Sequence, residues 1–243
     1  MVITEHNAQP LRVDVWFLPL DAEYPPGFFT EEDRERGRRF RFEADCLRAS
    51  LSNHLLRRAA ADLTGSDPDT VSITRVCVTC GQVGDHGRPV VMDEQGRPDP
   101  RVHLSASHAG EWVGVAACSS APVGIDIEPC SRTLDQDTDP LVLAPAEREE
   151  LSLLPIGSRG IQILRTWVRK EAVLKATGFG LAVEPSLLTI SGGTVIDYPD
   201  QLAEQLGGSV RLFDEPVLEG HLTALAVLTA SDVGIIVHPT QMA

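Results

Sequence analysis

Two acidic residues near the middle of the chain have the spacing of a cation site. In the segment P-V-G-I-D-I-E-P, which spans 122–129, the alternation of a strand sends Asp126 and Glu128 to one face and the branched apolar residues to the other. Adjacent carboxylates repel each other, and a shared hard cation such as Mg²⁺ relieves that repulsion while keeping waters for a phosphate ligand. An edge strand with two solvated acids has the same pattern, so this motif alone leaves both interpretations open.

A helix further along the chain places a tryptophan, a glutamate and a lysine in one column. Trp167, Glu171 and Lys175 follow i, i+4, i+8 spacing and therefore share one face. Lys170 and Lys175 are the only lysines among 21 basic residues, and lysine can donate a proton, which arginine effectively cannot. An ordinary amphipathic helix with a Glu–Lys pair is the alternative, although it does not explain the bias against lysine elsewhere. Lys170 points about 100° away from the column and has no comparable geometric reason to be lysine. Lys175→Arg is therefore expected to keep the charge and the fold yet lose much of the rate, and Lys170→Arg is expected to be milder.

Three further segments carry groups that suit anion binding. Ser107 and His108 leave a predicted strand in a turn of small residues, where a hydroxyl and an imidazole could meet a phosphate, although a purely structural turn has the same pattern. Arg88 lies between Gly87 and Pro89 in a stiffened loop, which by itself indicates only a turn. Residues 34–58 contain eight arginines and three acids in a chain of net charge −14, which predicts either a local phosphate-binding patch or a solvated helix face with many ion pairs.

The cysteines are sparse, and one pair has metal-ligand spacing. Cys77 and Cys80 form a C-x-x-C-G motif followed by His86, which is half of a zinc-site pattern. No second pair exists among the five cysteines, so a closed four-ligand site has little support and we expect reduced thiols rather than a disulfide framework.

The order of the elements that must position these groups predicts an α/β (α+β) fold of two halves. Each half is expected to be a small sheet packed with helices, residues 1–121 and 122–243. Strand patterns are predicted over 11–19, 71–79, 102–107, 112–118, 123–127, 187–190, 210–213, 221–229 and 233–237. Helices are predicted from the cap Thr30 to about Leu63, from Pro145, and from Ser158 to about Ala176, where Gly178 ends the last one.

Composition excludes several classes of protein. A net charge of −14 argues against a general nucleic-acid or anionic-membrane binder, because phosphate affinity needs surplus Lys and Arg. The longest uncharged stretch, 112–125, is shorter than the roughly 20 apolar residues that span a bilayer, and the N-terminus has no apolar core typical of a signal peptide. A cytoplasmic protein is therefore expected.

Taken together and in this order, the motifs resemble the 4′-phosphopantetheinyl transferases of the large, single-chain surfactin-synthetase-activating type. The resemblance extends over roughly residues 11–230 and is most specific in its last two motifs. The matching segments are Gly87-Arg88-Pro89, Ser107-His108, Val123 to Glu128 and, from Trp167 to Leu181, the pattern W-x-x-K-E-A-x-x-K-x-x-G-x-G-L.

The resemblance implies that the two halves are pseudo-symmetric with the active site at their interface, and it implies an activity and a role for individual residues. That family moves 4′-phosphopantetheine from coenzyme A to a serine of an apo acyl or peptidyl carrier protein and releases adenosine 3′,5′-bisphosphate. By position, Glu171 is implied as the base and Lys175 as the group that neutralises or protonates the departing phosphate. The implied Mg²⁺ ligands are Asp126, Glu128 and Glu171. The implied coenzyme A contacts are Arg48, Arg88, Ser107, His108, Asp126 and Lys175. Glu147 lies near a further acid of the family pattern.

The resemblance also implies the partners. We expect a monomer that serves carrier domains of fatty-acid, polyketide or nonribosomal peptide synthesis, with no nucleic acid and no membrane. Because carrier proteins are generally acidic, docking is expected to be local and apolar, near Gly178 to Leu181. Two other hypotheses stay open at this point: a non-catalytic protein that binds coenzyme A or a related nucleotide, and a zinc-ribbon interaction module.

Overall fold

The chain folds around two small sheets that meet edge to edge in the computed structural model, which describes residues 9–93, 95–132, 134, 139–214 and 218–239. The strands are β1 (Leu11–Pro19), β2 (Thr74–Val76), β3 (Val83–Gly84), β4 (Arg88–Val90), β5 (His103–Ala109), β6 (Trp112–Cys118), β7 (Val123–Pro129), β8 (Thr189–Ser191), β9 (Thr194–Asp197), β10 (Val210–Phe213), β11 (His221–Leu228) and β12 (Val233–Val237). The helices are α1 (Glu31–Gly37), α2 (Glu43–Thr64), α3 (Asp139–Val142), α4 (Pro145–Ser152), α5 (Ile156–Thr177) and α6 (Ala203–Leu206). No described helix is long and apolar enough to cross a membrane.

The first sheet has the order β12-β1-β6-β5. β1 pairs in parallel with β12 and antiparallel with β6, and β6 pairs antiparallel with β5. Helix α2 packs on this sheet through a core that includes Leu51, Leu56, Val113 and Val115. Because β12 comes from the end of the chain, a division at residues 121/122 leaves one strand of the first sheet in the C-terminal segment.

The second sheet has the order β10-β11-β7 and is antiparallel throughout. Helix α5 lies across β7 and β11, with Ala172, Ala176, Ala224 and Ala226 buried in the shared core. Small side chains on both surfaces let the helix approach the strands closely.

The two sheets are joined where β5 runs beside β7. The hydroxyl of Ser105 accepts a hydrogen bond from the backbone N–H of Ile125 at 3.1 Å, and Ser107 accepts one from Ile127 at 3.3 Å. Behind this seam, Val13 of β1 packs in one apolar cluster with Ile125 and Ile127. The predicted apolar face of β7 therefore forms the core between the halves, while its acids face the other way.

Most predicted elements are confirmed, and the differences have local causes. The strand predicted over 71–79 shrinks to β2, because Val71 and Ile73 are buried in the α2 core and a tight turn begins at Cys77. The strand predicted from Leu187 begins at Thr189, because a turn of 3₁₀ helix occupies Pro185–Leu187. The short strands β3, β4 and β9 were not predicted.

Candidate active site

The site is built where helix α5 touches strand β7. At Gly124 a Cβ atom would lie 1.9 Å from the carbonyl oxygen of Ala172 and 2.6 Å from the backbone nitrogen of Ala176. Only a residue without Cβ therefore lets α5 lie at this depth, which explains the glycine in the V-G-I-D-I-E segment. The predicted column of Trp167, Glu171 and Lys175 consequently faces β7.

Asp126 and Lys175 form an ion pair at the seam between the halves. The Nζ atom of Lys175 lies 2.6 Å from Asp126 Oδ1 and also donates to the backbone oxygen of Ile125 at 3.2 Å. Asp126 is only 4% exposed, which excludes the solvated edge strand as the explanation of this acid.

Ser107 is turned inward and its hydrogen-bonding capacity is used within the protein. Its hydroxyl donates to Asp126 Oδ1 at 2.9 Å and accepts from Lys175 Nζ at 3.0 Å, besides the bond from Ile127. A hydroxyl has one donor and two acceptor positions, so all three are occupied. Ser107 therefore orients Asp126 and Lys175 in this structure.

Glu171 lies beside this pair in a buried position. Burial raises the pKa of Glu171 to about 7, with Asp126 and Glu128 acting in the same direction and Lys175 opposing them. Glu171 Oε1 and Asp126 Oδ2 are both buried without a hydrogen-bond partner among the described residues. Burying two such oxygens on neighbouring acids lowers the stability of the fold unless another group binds to them.

Glu128 is held by two residues that the sequence analysis did not connect with it. Arg132 forms an ion pair with Glu128, and Trp167 Nε1 donates to Glu128 Oε1 at 3.2 Å. The guanidinium of Arg132 also lies 5.3 Å from the centre of the Trp167 ring. Burial raises the pKa of Glu128, which Arg132 opposes. A turn closed by the Arg132 N–H on the Pro129 carbonyl brings Arg132 back beside Glu128, and no sequence pattern on a strand signals such a contact.

The donor set suits a hard divalent cation. Three carboxylates with two unpartnered oxygens are the ligands that Mg²⁺ prefers. The oxygens of Asp126, Glu128 and Glu171 do not all lie within 4.8 Å of one another in the described structure, where Lys175 and Arg132 engage two of the three acids.

His108 lies in β5, which continues to Ala109 instead of turning at Ser107 and His108 as predicted, because both residues pair with β6. Arg48 lies beside the turn that follows. Arg48 donates to the backbone oxygen of Gly110 at 3.0 Å and pairs with Asp45 at 2.9 Å. Partial burial of the His108 ring lowers its pKa, as do the cations Lys175 and Arg48. This end of β5 therefore collects positive charge close to Lys175.

Arg88 lies on the wall of a cleft of about 430 Å³ between the halves. Burial lowers the pKa of its guanidinium, which has no hydrogen bond or ion pair with the described residues. The remaining wall is shared by both halves and includes Ser105, Lys175 and residues 178–182. The cleft thus connects an unpaired cation to the Asp126–Lys175 pair.

Lys170 corrects one expectation drawn from the sequence. Its side chain is fully buried, and Nζ donates to Glu147 Oε2 at 2.5 Å, to Val142 O at 2.8 Å and to Pro185 O at 3.0 Å. Glu147 also accepts backbone N–H bonds, so it is a partner of Lys170 in a structural network away from the site. The expectation that this position has no geometric reason to be lysine was wrong, because helix geometry alone does not reveal what covers the other face. The comparison of Lys170→Arg with Lys175→Arg stays a prediction.

Comparison with known proteins gives the family. A family model described as the 4′-phosphopantetheinyl transferase superfamily matches residues 122–206, and one described as 4′-phosphopantetheinyl transferase, N-terminal, matches residues 26–120. The transferase psf-1 of Bacillus pumilus is 30% identical over 72% of this chain and 71% of its own. A 4′-phosphopantetheinyl transferase of Bacillus subtilis is 30% identical over 70% of each chain, and Sfp of Bacillus subtilis is 25% identical over 71% of this chain and 72% of its own. The chain belongs to the 4′-phosphopantetheinyl transferase family, enzymes that transfer phosphopantetheine to carrier proteins.

Proposed function

We propose that this enzyme takes the 4′-phosphopantetheinyl group from coenzyme A, requires Mg²⁺, and releases adenosine 3′,5′-bisphosphate. The acceptor is the hydroxyl of a serine on an apo acyl or peptidyl carrier protein. The serine oxygen forms a bond to the phosphorus next to pantetheine, and the bond from that phosphorus to the bridging oxygen breaks.

Asp126, Glu128 and Glu171 would hold the cation against the diphosphate. Bound there, Mg²⁺ would neutralise charge that develops on the phosphate oxygens. The two buried unpartnered oxygens, Asp126 Oδ2 and Glu171 Oε1, are the observation that carries this proposal, since a bound cation would satisfy acceptor atoms that are otherwise without a partner among the described residues.

Glu171 and Lys175 are proposed to move the protons. The Glu171 carboxylate would take the proton of the carrier serine, directly or through a water molecule. Lys175 would neutralise the departing phosphate oxygen or give it a proton. Its Nζ is held by Asp126 and Ser107, so the charge is fixed in place before substrate arrives.

The remaining cations would bind the phosphates of coenzyme A. Arg88 has a guanidinium on the cleft wall without a partner among the described residues, and Arg48 extends the positive charge along the end of β5. His108, whose pKa is lowered by burial and by the cations Lys175 and Arg48, would contribute a neutral imidazole as a hydrogen-bond donor. Ser107 is proposed as a positioning residue for Lys175 and Asp126, since its hydroxyl is fully engaged by them.

A carrier-modification assay tests the activity. The purified chain is incubated with coenzyme A, Mg²⁺ and a panel of apo carrier proteins, and each carrier is weighed by mass spectrometry. We expect the mass to rise by one phosphopantetheine, and we expect no rise when Mg²⁺ is omitted. Binding of coenzyme A without any modified carrier would instead favour the non-catalytic coenzyme A-binding hypothesis.

Glu171→Gln separates chemistry from binding. The variant keeps the shape of the side chain but removes its charge, so turnover should be abolished while coenzyme A still binds in calorimetry. Glu149→Gln on the exposed face of α4 is the matched control and should behave as wild type. Equal loss of turnover and coenzyme A affinity in Glu171→Gln would reduce Glu171 to a ligand of the metal–diphosphate complex.

Leu181 is proposed to contact the carrier protein. It is 61% exposed on the rim of the cleft, where an apolar contact does not depend on the unfavourable net charge of the enzyme. Leu181→Ala should raise the KM for the carrier and leave the KM for coenzyme A unchanged. Leu153→Ala, a similarly exposed leucine after α4, is the control, and an equal effect of both variants would contradict this docking site.

A further inference from the structure

A tight turn brings the two cysteines of the C-x-x-C-G motif together beside the cleft. The backbone N–H of Gly81 donates to the Cys77 carbonyl at 2.9 Å, and the Cys77 N–H donates to the carbonyl of Gln82 at 3.0 Å. Gly81 has φ of +69°, a conformation that glycine adopts without strain, so the chain reverses directly after Cys80.

His86 returns to this turn from the other end of the loop. Its Nε2 atom lies 3.3 Å from the Sγ of Cys80, and the ligand atoms of Cys77, Cys80 and His86 all lie within 4.8 Å of one another. Zn–S bonds of about 2.3 Å and Zn–N bonds of about 2.0–2.1 Å put the ligand atoms of a tetrahedral zinc ion about 3.5–3.8 Å apart. The three groups are therefore close to the arrangement that a zinc ion requires.

We propose that Cys77, Cys80 and His86 bind one Zn²⁺ ion per chain, with water in the fourth position, and that this ion fixes the loop that leads into Arg88. Two sulfur ligands and an imidazole select zinc over Mg²⁺, so the site is chemically distinct from the carboxylates. Within the described residues, no other group of three or more His, Cys, Asp or Glu side chains brings its ligand atoms this close.

The ion would act on the cleft through a short antiparallel sheet with the order β3-β2-β4. Val76 of β2, next to Cys77, pairs with Arg88 of β4, and Gly87 has φ of +101° with Val76 O only 2.3 Å from where a Cβ would lie. These backbone contacts hold the two ends of the loop together, and the zinc ion would in addition tie His86 to the turn at Cys77 and Cys80, shortly before Arg88. This consequence for Arg88 rests on the proposed function, whereas zinc binding does not.

Metal analysis of the purified chain tests the proposal. The protein is prepared without a histidine tag and without chelators, and it is then reduced, incubated with ZnCl₂ and desalted. Its zinc content is measured by inductively coupled plasma mass spectrometry. We expect about one zinc per chain in wild type and in Cys130→Ser, which removes an exposed thiol in the other half. Cys80→Ser should lose the zinc while its circular dichroism stays unchanged, because residue 80 is exposed.

Cobalt gives a spectroscopic check that is independent of carrier modification. Co²⁺ in place of zinc should produce a thiolate-to-metal charge-transfer band in wild type and in Cys130→Ser, and none in Cys80→Ser. The proposal is overturned if reduced wild type takes up no zinc, or if Cys80→Ser retains as much as wild type. An enzyme that modifies carriers yet holds no zinc would refute this inference and leave the proposed function intact.

Discussion

Replacing Gly124 with alanine should displace the catalytic helix as a whole. A Cβ at Gly124 would lie 1.9 Å from the carbonyl oxygen of Ala172, a backbone atom of α5, and real Cβ contacts essentially never fall below 3.0 Å. Helix α5 must therefore move away from β7 by about 1.1 Å, since a packed interior has no free space to absorb the methyl group.

The size of the effect on folding stability and on kcat depends on the residues that α5 positions. Overpacking of this kind costs about 1–3 kcal/mol of folding free energy. A displacement of about 1 Å of reacting groups costs about 100-fold in rate. Because Glu171 and Lys175 lie on α5 and Asp126 lies on β7, we expect kcat to fall by about 100-fold while the protein remains folded at 25 °C.

Two other glycines provide a graded control series. At Gly114 the added Cβ would meet side-chain atoms, 2.6 Å from Ile127 Cδ1 and 2.8 Å from Phe17 Cε1, which can rotate away. At Gly157 it would meet nothing within 4 Å. Carrier mass spectrometry and thermal unfolding on all three alanine variants should rank the loss of rate as Gly124, then Gly114, then Gly157. Wild-type kcat in Gly124→Ala would refute the argument that this contact sets the position of α5.

Four more variants test the charged residues. Lys170→Ala leaves Glu147 as an uncompensated buried charge and should lower the free energy of unfolding by about 3–5 kcal/mol in urea titrations; Lys170→Arg should also destabilise, because a guanidinium does not fit a site built for an ammonium. Lys175→Arg should instead leave the urea midpoint of unfolding unchanged and lose most of kcat in the carrier assay. Burial opposes ionisation of Asp33, but bonds from the buried guanidinium of Arg57 at 3.0 and 3.1 Å hold the Asp33 pKa below its ordinary value. Its folded pKa lies below the unfolded one, so the stabilisation is present above about pH 4 and lost as pH falls below that; the stability gap between wild type and Asp33→Asn should narrow in urea titrations as pH decreases from 5 to 3.

Periodicity predicted the parts of the fold that depend on local sequence. The bounds of β1, β6, β10 and β12 agree with the predicted strands, and Thr30 caps α1 with its hydroxyl as expected. The pairing of β12 with β1 could not be predicted from local sequence, since the two strands are separated by most of the chain. The pattern of apolar residues within one strand does not identify the strand with which it pairs.

The site was predictable where residues share one element and less so where two elements meet. The i, i+4, i+8 spacing placed Trp167, Glu171 and Lys175 on one face, which faces β7. How closely α5 approaches β7 depends on Gly124. The need for a residue without Cβ there is evident only once α5 is seen to lie against it. The inward turn of Ser107 likewise depends on β5 running beside β7, a long-range contact that no short motif reports.

The same geometric feature explains why both positions 170 and 175 hold a lysine rather than an arginine, and composition alone did not reveal it. Lys170 Nζ has three acceptors and so has Lys175 Nζ, and an ammonium offers three donors around one atom, which a planar guanidinium does not. Loss of rate in Lys175→Arg therefore fits either proton donation or lost positioning. Chemical rescue distinguishes them: small primary amines added to Lys175→Ala should restore rates that fall as amine pKa rises if Lys175 donates a proton. Rescue that does not depend on amine pKa would make Lys175 a fixed positive charge, held in the cleft by Asp126 and Ser107 as Lys170 is held in the core by Glu147.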